Sequence, residues 1–415
     1  MGNHISLSVI KKLVNKEHGS GTIGNAGNIR KMDRLSTGSL AFDRSLGGGI
    51  PVGRTTILAG DESSGKTTNA IRVIGLSQNI CANCYRPVKN ISVSEMIDSE
   101  GEVFYGAEGH CDCYNRGIFK PKQLDDEKDS DFKKRLELYS ENSYEEYRVA
   151  FFDPEGTFDR EWAVKLGVDL RRLLYVQADT TEEVCDIYEA LLRTGEVDLF
   201  VLDSIAAMTP AVELEESFEK WQQGLQARLV NKFVRKVLSG ITYVLKRRGK
   251  APTQIWINQF REKIGGSSFV DNRIMPGGKG QRFLASVIVY LWTSKWTKET
   301  QDKELGKDME SEIGTHVKMN FKVEKNKTAP PKQSGSYYMW LAGEKAGNID
   351  EFKYVIGMAS KLGMYREEGE GVNKKWFIGN EKYERKKDAL TRMEEPATFS
   401  KLRGIILERI LNGQA

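Results

Sequence analysis

The stretch ILAGDESSGKTTNAI, residues 57–71, decides the fold. Thr55, Thr56, Ile57 and Leu58 form a β-branched, apolar run that reads as a strand, and the residues after Gly65 read as a helix. Between them lies G-x-x-x-x-G-K-T, spelled by Gly60, Gly65, Lys66 and Thr67, with Asp61, Glu62, Ser63 and Ser64 inside the loop and Thr68 behind it. A glycine-rich turn from strand to helix aims successive backbone N–H groups at one point, so it cradles phosphate. Lys66 reaches the terminal phosphates and the Thr67 hydroxyl serves Mg²⁺, so the expected ligand is a nucleoside triphosphate.

Outward from this loop, strand-like runs alternate with helical patterns. Strands are expected at 147–155, 173–177, 198–204, 253–259 and 283–292, with helices at 181–194 and about 221–248. That alternation predicts an α/β fold with a doubly wound, mostly parallel sheet, whose ligands gather at the carboxyl ends of the strands. Residues 5–17 space their apolar groups as a helix, joined through a Gly-rich connection, giving an arm over 1–33. The core is expected over 34–341. From 342 to 415 a helix, a short strand and a terminal helix, with many charges between them, read as a small α/β lobe.

The chain has 415 residues, room for two or three domains, and 62 Lys and Arg against 58 Asp and Glu. A formal charge of +4 means that any nucleic-acid surface must be local. The longest apolar run, residues 284–292, is too short to span a bilayer, and no signal-peptide core is visible, so a cytoplasmic location and no membrane partner are expected.

Four of five cysteines cluster as C-x-x-C and C-x-C: Cys81, Cys84, Cys111 and Cys113. In an intracellular chain this pattern reads as a tetrahedral Zn²⁺ site, with His110 a substitute ligand. Residues 79–146 thus form a cysteine-rich, zinc-binding insertion between the helix of the phosphate loop and the strand it would feed. Arg86, Lys89 and Arg116 give it a route to duplex DNA, and a partner protein is the alternative. Cys185, on a helix, reads as a small buried hydrophobe.

Strand ends deliver the remaining chemistry. Asp203 closes one apolar strand and can hold Mg²⁺ through water, with Ser204 beside it. Glu155 closes another and can activate the water that attacks the γ-phosphate. Asn258 and Gln259 close a third and can report whether that phosphate is present. The loop that follows, from Arg261 to Arg282, holds five glycines and several cations, as a grip on a phosphate backbone would. Arg228 and Arg235, seven apart, share a face of the preceding helix.

Taken together, LSTGSLAFDRSLGGGIPVGR (35–54), GDESSGKTT (60–68), REWAVKLGVDLRRLLYVQADTTEE (160–183), VDLFVLDSIAAMTP (197–210), INQFREKIGG (257–266) and KNKTAPPKQ (325–333) resemble the bacterial RecA recombinase family, in order and spacing. The resemblance implies a RecA-like P-loop ATPase core and a DNA-dependent ATPase using ATP and Mg²⁺. It implies a helical homo-oligomer, a filament on single-stranded DNA that pairs it with homologous duplex DNA and exchanges strands. Mediator or single-strand-binding proteins are further implied partners.

By the same resemblance Glu155 is the water-activating carboxylate, Asp203 the Mg²⁺-associated acid and Gln259 the γ-phosphate sensor. Trp162 packs on adenine near Asp159. Lys325 and Lys327 reach the neighbouring subunit's ATP, and Phe283 sits at the interface. DNA contacts fall on Arg228, Arg235, Arg261, Lys263, Ile264, Gly277 and Gly278. The chain departs from the family pattern in the cysteine insertion, in Asp61 where proline is common and in Ile288 where arginine is frequent. Two rival functions share the phosphate loop: a RecA-like DNA motor, branch-migration helicase or loader, and a non-catalytic DNA-binding scaffold.

Overall fold

A computed structural model describes residues 6–18, 32–97, 103–111, 128–130, 133, 145–215, 224–262, 273–301, 311–371 and 374–411. The arm is α1 (Leu7–His18). β1 (Arg34–Leu35) pairs antiparallel with β2 (Ile50–Pro51) around α2 (Leu40–Leu46). Then come β3 (Thr55–Gly60), α3 (Lys66–Ser77) and the antiparallel hairpin β4 (Lys89–Ile97) and β5 (Val103–His110). The chain continues through β6 (Val149–Phe152), α4 (Arg160–Lys165), β7 (Leu173–Val176), α5 (Thr181–Thr194) and β8 (Leu199–Leu202). After α6 (Ala211–Glu215) and α7 (Leu225–Arg248) follow β9 (Thr253–Gln259), the short pair β10 (Arg261–Glu262) and β11 (Arg273–Ile274), and α8 (Gly280–Leu284). Long strands β12 (Val287–Gln301) and β13 (Ser311–Asn326), then β14 (Ser334–Trp340) and β15 (Ile349–Asp350), complete the sheet.

Nine strands form one sheet in the order β15-β14-β13-β12-β3-β9-β8-β6-β7. From β12 to β7 every pairing is parallel, and from β12 to β15 every pairing is antiparallel. The parallel half obeys period-two alternation with both faces buried. Leu58, Phe151, Val201 and Val289 join Ile71 and Ile74 of α3 in one core. Their neighbours Ile57, Phe152, Phe200 and Ile288 join Tyr188 of α5 and Phe233 of α7 in the other. The isoleucine at 288 therefore occupies a fully buried layer in which an arginine would lack water or a partner.

Two expectations change. Residues 283–292 do not form one strand, because Gly280–Leu284 is helical and β12 starts at Val287. Leu284 and Ala285 are apolar because they seal the second core at the end of that helix. The antiparallel half was also not foreseen. β13 follows a period of two over HVKMNFKV (316–323), burying Val317, Met319, Phe321 and Val323, with Asn320 buried between them.

Beyond β15 the chain makes α9 (Phe352–Lys361), the three strands β16 (Tyr365–Glu368), β17 (Lys375–Ile378) and β18 (Glu381–Tyr383), α10 (Lys386–Glu394) and α11 (Pro396–Leu411). Val355, Ala389, Met393 and Ile406 build a separate core, closed by Leu40 of α2. Glu351 fastens it to the ATPase core by accepting from the Leu40 amide and from Arg403 Nε at 2.7 Å.

Candidate nucleotide and nucleic-acid site

The parallel strands β3, β6, β8 and β9 end side by side, and each delivers a polar group to the same edge. Gly65 opens α3 at φ +81°, a left-handed conformation that favours glycine, and an added Cβ would lie 2.5 Å from the Met319 side chain. Lys66 folds back over the loop, with Nζ donating to the Asp61 carbonyl at 2.6 Å and to Ser64 Oγ at 3.2 Å. Burial lowers the Lys66 pKa, opposed by the charges of Asp203 and Glu155.

Thr67 Oγ1 donates to Asp203 Oδ2 at 2.5 Å, joining the start of α3 to the end of β8. Burial pushes Asp203 up to about 7; the Thr67 hydrogen bond opposes the rise and the nearby charge of Glu155 adds to it. Glu155 stands exposed beyond β6, accepting from Ser204 Oγ at 3.4 Å and from Gln259 Nε2 at 3.5 Å. Thus Lys66, Thr67, Asp203, Glu155 and Gln259, spread over almost 200 residues, meet at one edge. A donor set of a hydroxyl and a carboxylate suits Mg²⁺, which prefers hard oxygen ligands. Trp162 Nε1 donates to Thr68 Oγ1 at 3.4 Å, so the half-buried indole lies beside the first turn of α3, and Asp159 caps α4 by accepting from the Trp162 amide at 2.9 Å.

Sequence reasoning missed Asp153. Its carboxylate accepts from the amides of Gly156, Thr157 and Phe158 and from the Tyr175 hydroxyl, and so shapes the turn that carries Glu155. An Asp followed by Pro is a turn signal, legible in DPEG (153–156).

Lys325 and Lys327 do not join this edge. Lys325 pairs with Ile288, which pairs with Ile57, so the lysine lies level with the strand residue three positions before Gly60. That places it about 10 Å along the strand, towards the end opposite the phosphate loop. Lys325 Nζ donates to the Arg282 carbonyl, and burial, Lys327 and Arg282 all lower its pKa. Phe283, 76% exposed, neighbours this cationic group.

Hydrogen bonds lead from Asn258, the chain neighbour of Gln259, to the glycine-rich loop. Asn258 Nδ2 donates to the Pro276 carbonyl at 3.0 Å and to Gln281 Oε1 at 2.8 Å, while Asn231 of α7 accepts from the Gly280 amide at 3.0 Å. Gly277 and Gly278 adopt φ +86° and +79°, packed against Ile205 and Asn231. Arg261 Nη2 donates to the Ala206 carbonyl at 3.4 Å, and Arg228 and Arg235 are exposed on α7. Lys263 and Ile264 lie outside the described residues.

A second site lies at the far end of α3. Cys81, Cys84 and Cys111 are buried with their sulfurs all within 4.8 Å of one another, and Cys84 and Cys111 stand 3.4 Å apart. A hydrogen bond from Cys84 holds Cys81 down to about 5, and Cys84 itself is pushed up. Three converging thiols suit a soft or borderline cation, Zn²⁺ foremost. Cys113 lies outside the described residues. The cluster is tied to the core, since the Ala82 amide donates to the Glu145 carbonyl at 2.8 Å and Arg172 Nε meets Glu146 at 2.6 Å.

The model of the RecA N-terminal domain matches residues 5–88 and 130–343 of this chain, leaving 89–129 unmatched within that span. Protein RecA of Helicobacter hepaticus is 32% identical over 366 residues, covering 87% of this chain and 82% of that protein. Protein RecA of Thermus aquaticus is 30% identical over 410 residues, covering 97% and 94%, and Protein RecA of Sulfurimonas denitrificans 32% over 371 residues, covering 88% and 84%. With a parallel-sheet core, a phosphate loop at its edge and matches of this extent, the chain belongs to the RecA family.

Proposed function

We propose that the chain is a DNA-dependent ATPase that assembles as a helical filament on single-stranded DNA and catalyses homologous pairing and strand exchange. The observation that carries this reading is the division of the nucleotide site. Lys66, Thr67, Asp203, Glu155 and Gln259 share one edge of the sheet, whereas Lys325 lies about 10 Å back along the strands, with Lys327 two residues beyond it. Cations held away from their own phosphate loop can serve a neighbour's, so a complete site needs two copies in head-to-tail contact.

Within that reading, Lys66 and the amides of 60–68 bind the phosphates of ATP, Trp162 and Asp159 hold the adenine, and Thr67 and Asp203 hold Mg²⁺, which neutralises phosphate charge when bound. Glu155 takes the proton of the attacking water. Gln259 meets the γ-phosphate, and Asn258 carries that contact to Pro276 and the glycines beyond it, ordering the loop that grips DNA. Arg228, Arg235, Arg261 and Lys263 hold phosphates, Ile264 wedges between bases, and Gly277 and Gly278 allow close backbone approach. Residues 1–33 form the polymerisation arm, 34–341 the ATPase core and 342–415 the C-terminal lobe. The site of action is the cytoplasm.

The cysteine cluster is a structural Zn²⁺ site formed by Cys81, Cys84 and Cys111, with Cys113 as fourth ligand. Metal binding supplies roughly 10 kcal/mol of local folding energy to a segment with few buried apolar groups. Protein purified without chelator should contain one zinc per chain, and its absence there would remove the site.

Mixing tests the divided active site. Lys66→Ala and the double variant Lys325→Ala/Lys327→Ala should each fail to hydrolyse ATP on single-stranded DNA. In an equal mixture about a quarter of the interfaces unite an intact loop with intact lysines, and activity should return. No recovery would contradict a site shared between subunits.

A further inference from the structure

The turn that leaves β13 is held from the side of the sheet opposite to its lysines. Pro330 and Pro331 carry no N–H and cannot extend the ladder, so Lys325, next to last in β13, and Lys327, just beyond it, stand where a strand end would fray. Between them Asn326 is buried and turns its side chain to α2, with Nδ2 donating to the Leu46 carbonyl at 3.3 Å. Lys325 leaves by the other face, where its Nζ donates to the Arg282 carbonyl of α8 beside the like charges of Lys327 and Arg282. Cations this close repel one another, so their placement depends on how firmly the backbone beneath them is held.

That backbone is clasped. Asn326 Oδ1 accepts from the Thr328 amide and hydroxyl, both at 2.8 Å, and from the Ala329 amide at 3.0 Å, closing an Asx turn. On the far side of the turn the Lys327 amide donates to the Ser286 carbonyl at 2.9 Å. The guanidinium of Arg34 in β1 then ties the turn to the end of α2. Its Nη1 donates to Thr328 Oγ1 at 3.0 Å, to the Leu46 carbonyl at 3.1 Å and to the Gly49 carbonyl at 3.3 Å, while Nη2 donates to the Thr328 carbonyl at 2.9 Å. Leu46 thus accepts from both Arg34 and Asn326, and Thr328 passes the hydrogen bond from one to the other. A planar guanidinium fork suits such a junction in a way that an ammonium does not.

We propose that Arg34 is a positioning residue for ATP hydrolysis: through Thr328 and Asn326 it fixes the backbone that presents Lys325 and Lys327 to the nucleotide of a neighbouring subunit. This rests on the reading of the two lysines as the neighbour's half of the site and deepens it by naming what holds them there.

Mixing full-length variants on single-stranded DNA tests the role. Arg34→Ala should lower ATP turnover about tenfold or more, because a small misplacement of a positioned group is costly. Thr328→Val, which removes one hydroxyl and spares the Arg34 contact with the carbonyl, should lower it about threefold and serves on its own if Arg34→Ala does not fold. The fault lies in the lysines' half of the site, so an equal mixture with Lys66→Ala supplies sound lysines to the variant's intact loop. Turnover per intact loop should then rise about fivefold for Arg34→Ala and about twofold for Thr328→Val. A mixture with Lys325→Ala/Lys327→Ala should show no rise, since neither partner offers well-placed lysines. Native turnover in both variants, rescue by the lysine double variant in place of Lys66→Ala, or rescue by neither would overturn the role of Arg34. If Lys66→Ala and the lysine double variant do not restore each other, the shared site itself falls.

Discussion

Thr67 and Asp203 hold each other at 2.5 Å, the hydroxyl of the helix start donating to the carboxylate at the end of β8. The contact joins the two groups proposed to hold Mg²⁺, and on that reading it makes metal binding a competition with a proton. Burial pushes Asp203 up to about 7, so below that pH the nucleotide-free protein carries a proton that Mg²⁺ must displace. Affinity for Mg·ATP should fall about tenfold per unit below pH 7 and level off above it. Without nucleotide the sign for stability is opposite: the folded state holds the proton more tightly than the unfolded one, whose Asp titrates near 3.8, so stability declines as pH rises between those values. Calorimetric titration with Mg·ATP analogue should show the slope in the native protein and a weak, flat profile in Asp203→Asn.

Glu155→Gln keeps the shape of the turn that Asp153 organises and removes the proton acceptor. Hydrolysis on single-stranded DNA should drop by about 10²–10⁴-fold while nucleotide binding and assembly persist. Gln259→Ala should instead bind ATP without the accompanying rise in DNA affinity. Paired measurements of ATP turnover and DNA binding distinguish the two roles.

Two glycines in helices should respond oppositely to alanine. At Gly75 in α3 a Cβ would lie 2.7 Å from the Gly167 backbone carbon and 2.8 Å from the Leu166 carbonyl oxygen. Gly75→Ala should cost about 1–3 kcal/mol. Gly404 in α11 has nothing within 4 Å of that position, so Gly404→Ala should stabilise by up to about 1 kcal/mol. Urea melts of both variants against the native protein decide the point.

Phe283 is 76% exposed in the single chain. Phe283→Ala should leave monomer stability within about 0.5 kcal/mol, yet weaken assembly on DNA by about 2 kcal/mol or more if the ring is buried by a neighbour. Sedimentation with and without DNA separates those effects.

The parallel half of the sheet was legible because its strands are short apolar runs bounded by turn residues, and Thr181–Thr194 and Thr253–Gln259 fall on their expected bounds. The antiparallel half was harder to see, since its strands set lysine, histidine and asparagine between their apolar residues and no short turn announces the pairing. The phosphate loop announced itself because its chemistry is local in sequence. Asp153 did not, because its partners are backbone amides and Tyr175, whose approach depends on β6 lying beside β7. The relay from Asn258 to Pro276 and Gln281 likewise exists only once β9 and α8 pack together.

Strand exchange between single-stranded DNA and a labelled duplex, homologous or heterologous, with ATP and Mg²⁺, tests the central claim most directly. The account predicts exchange with the homologous duplex alone, lost in Lys66→Ala. ATP consumption on DNA with no exchange, or with exchange indifferent to homology, would contradict it.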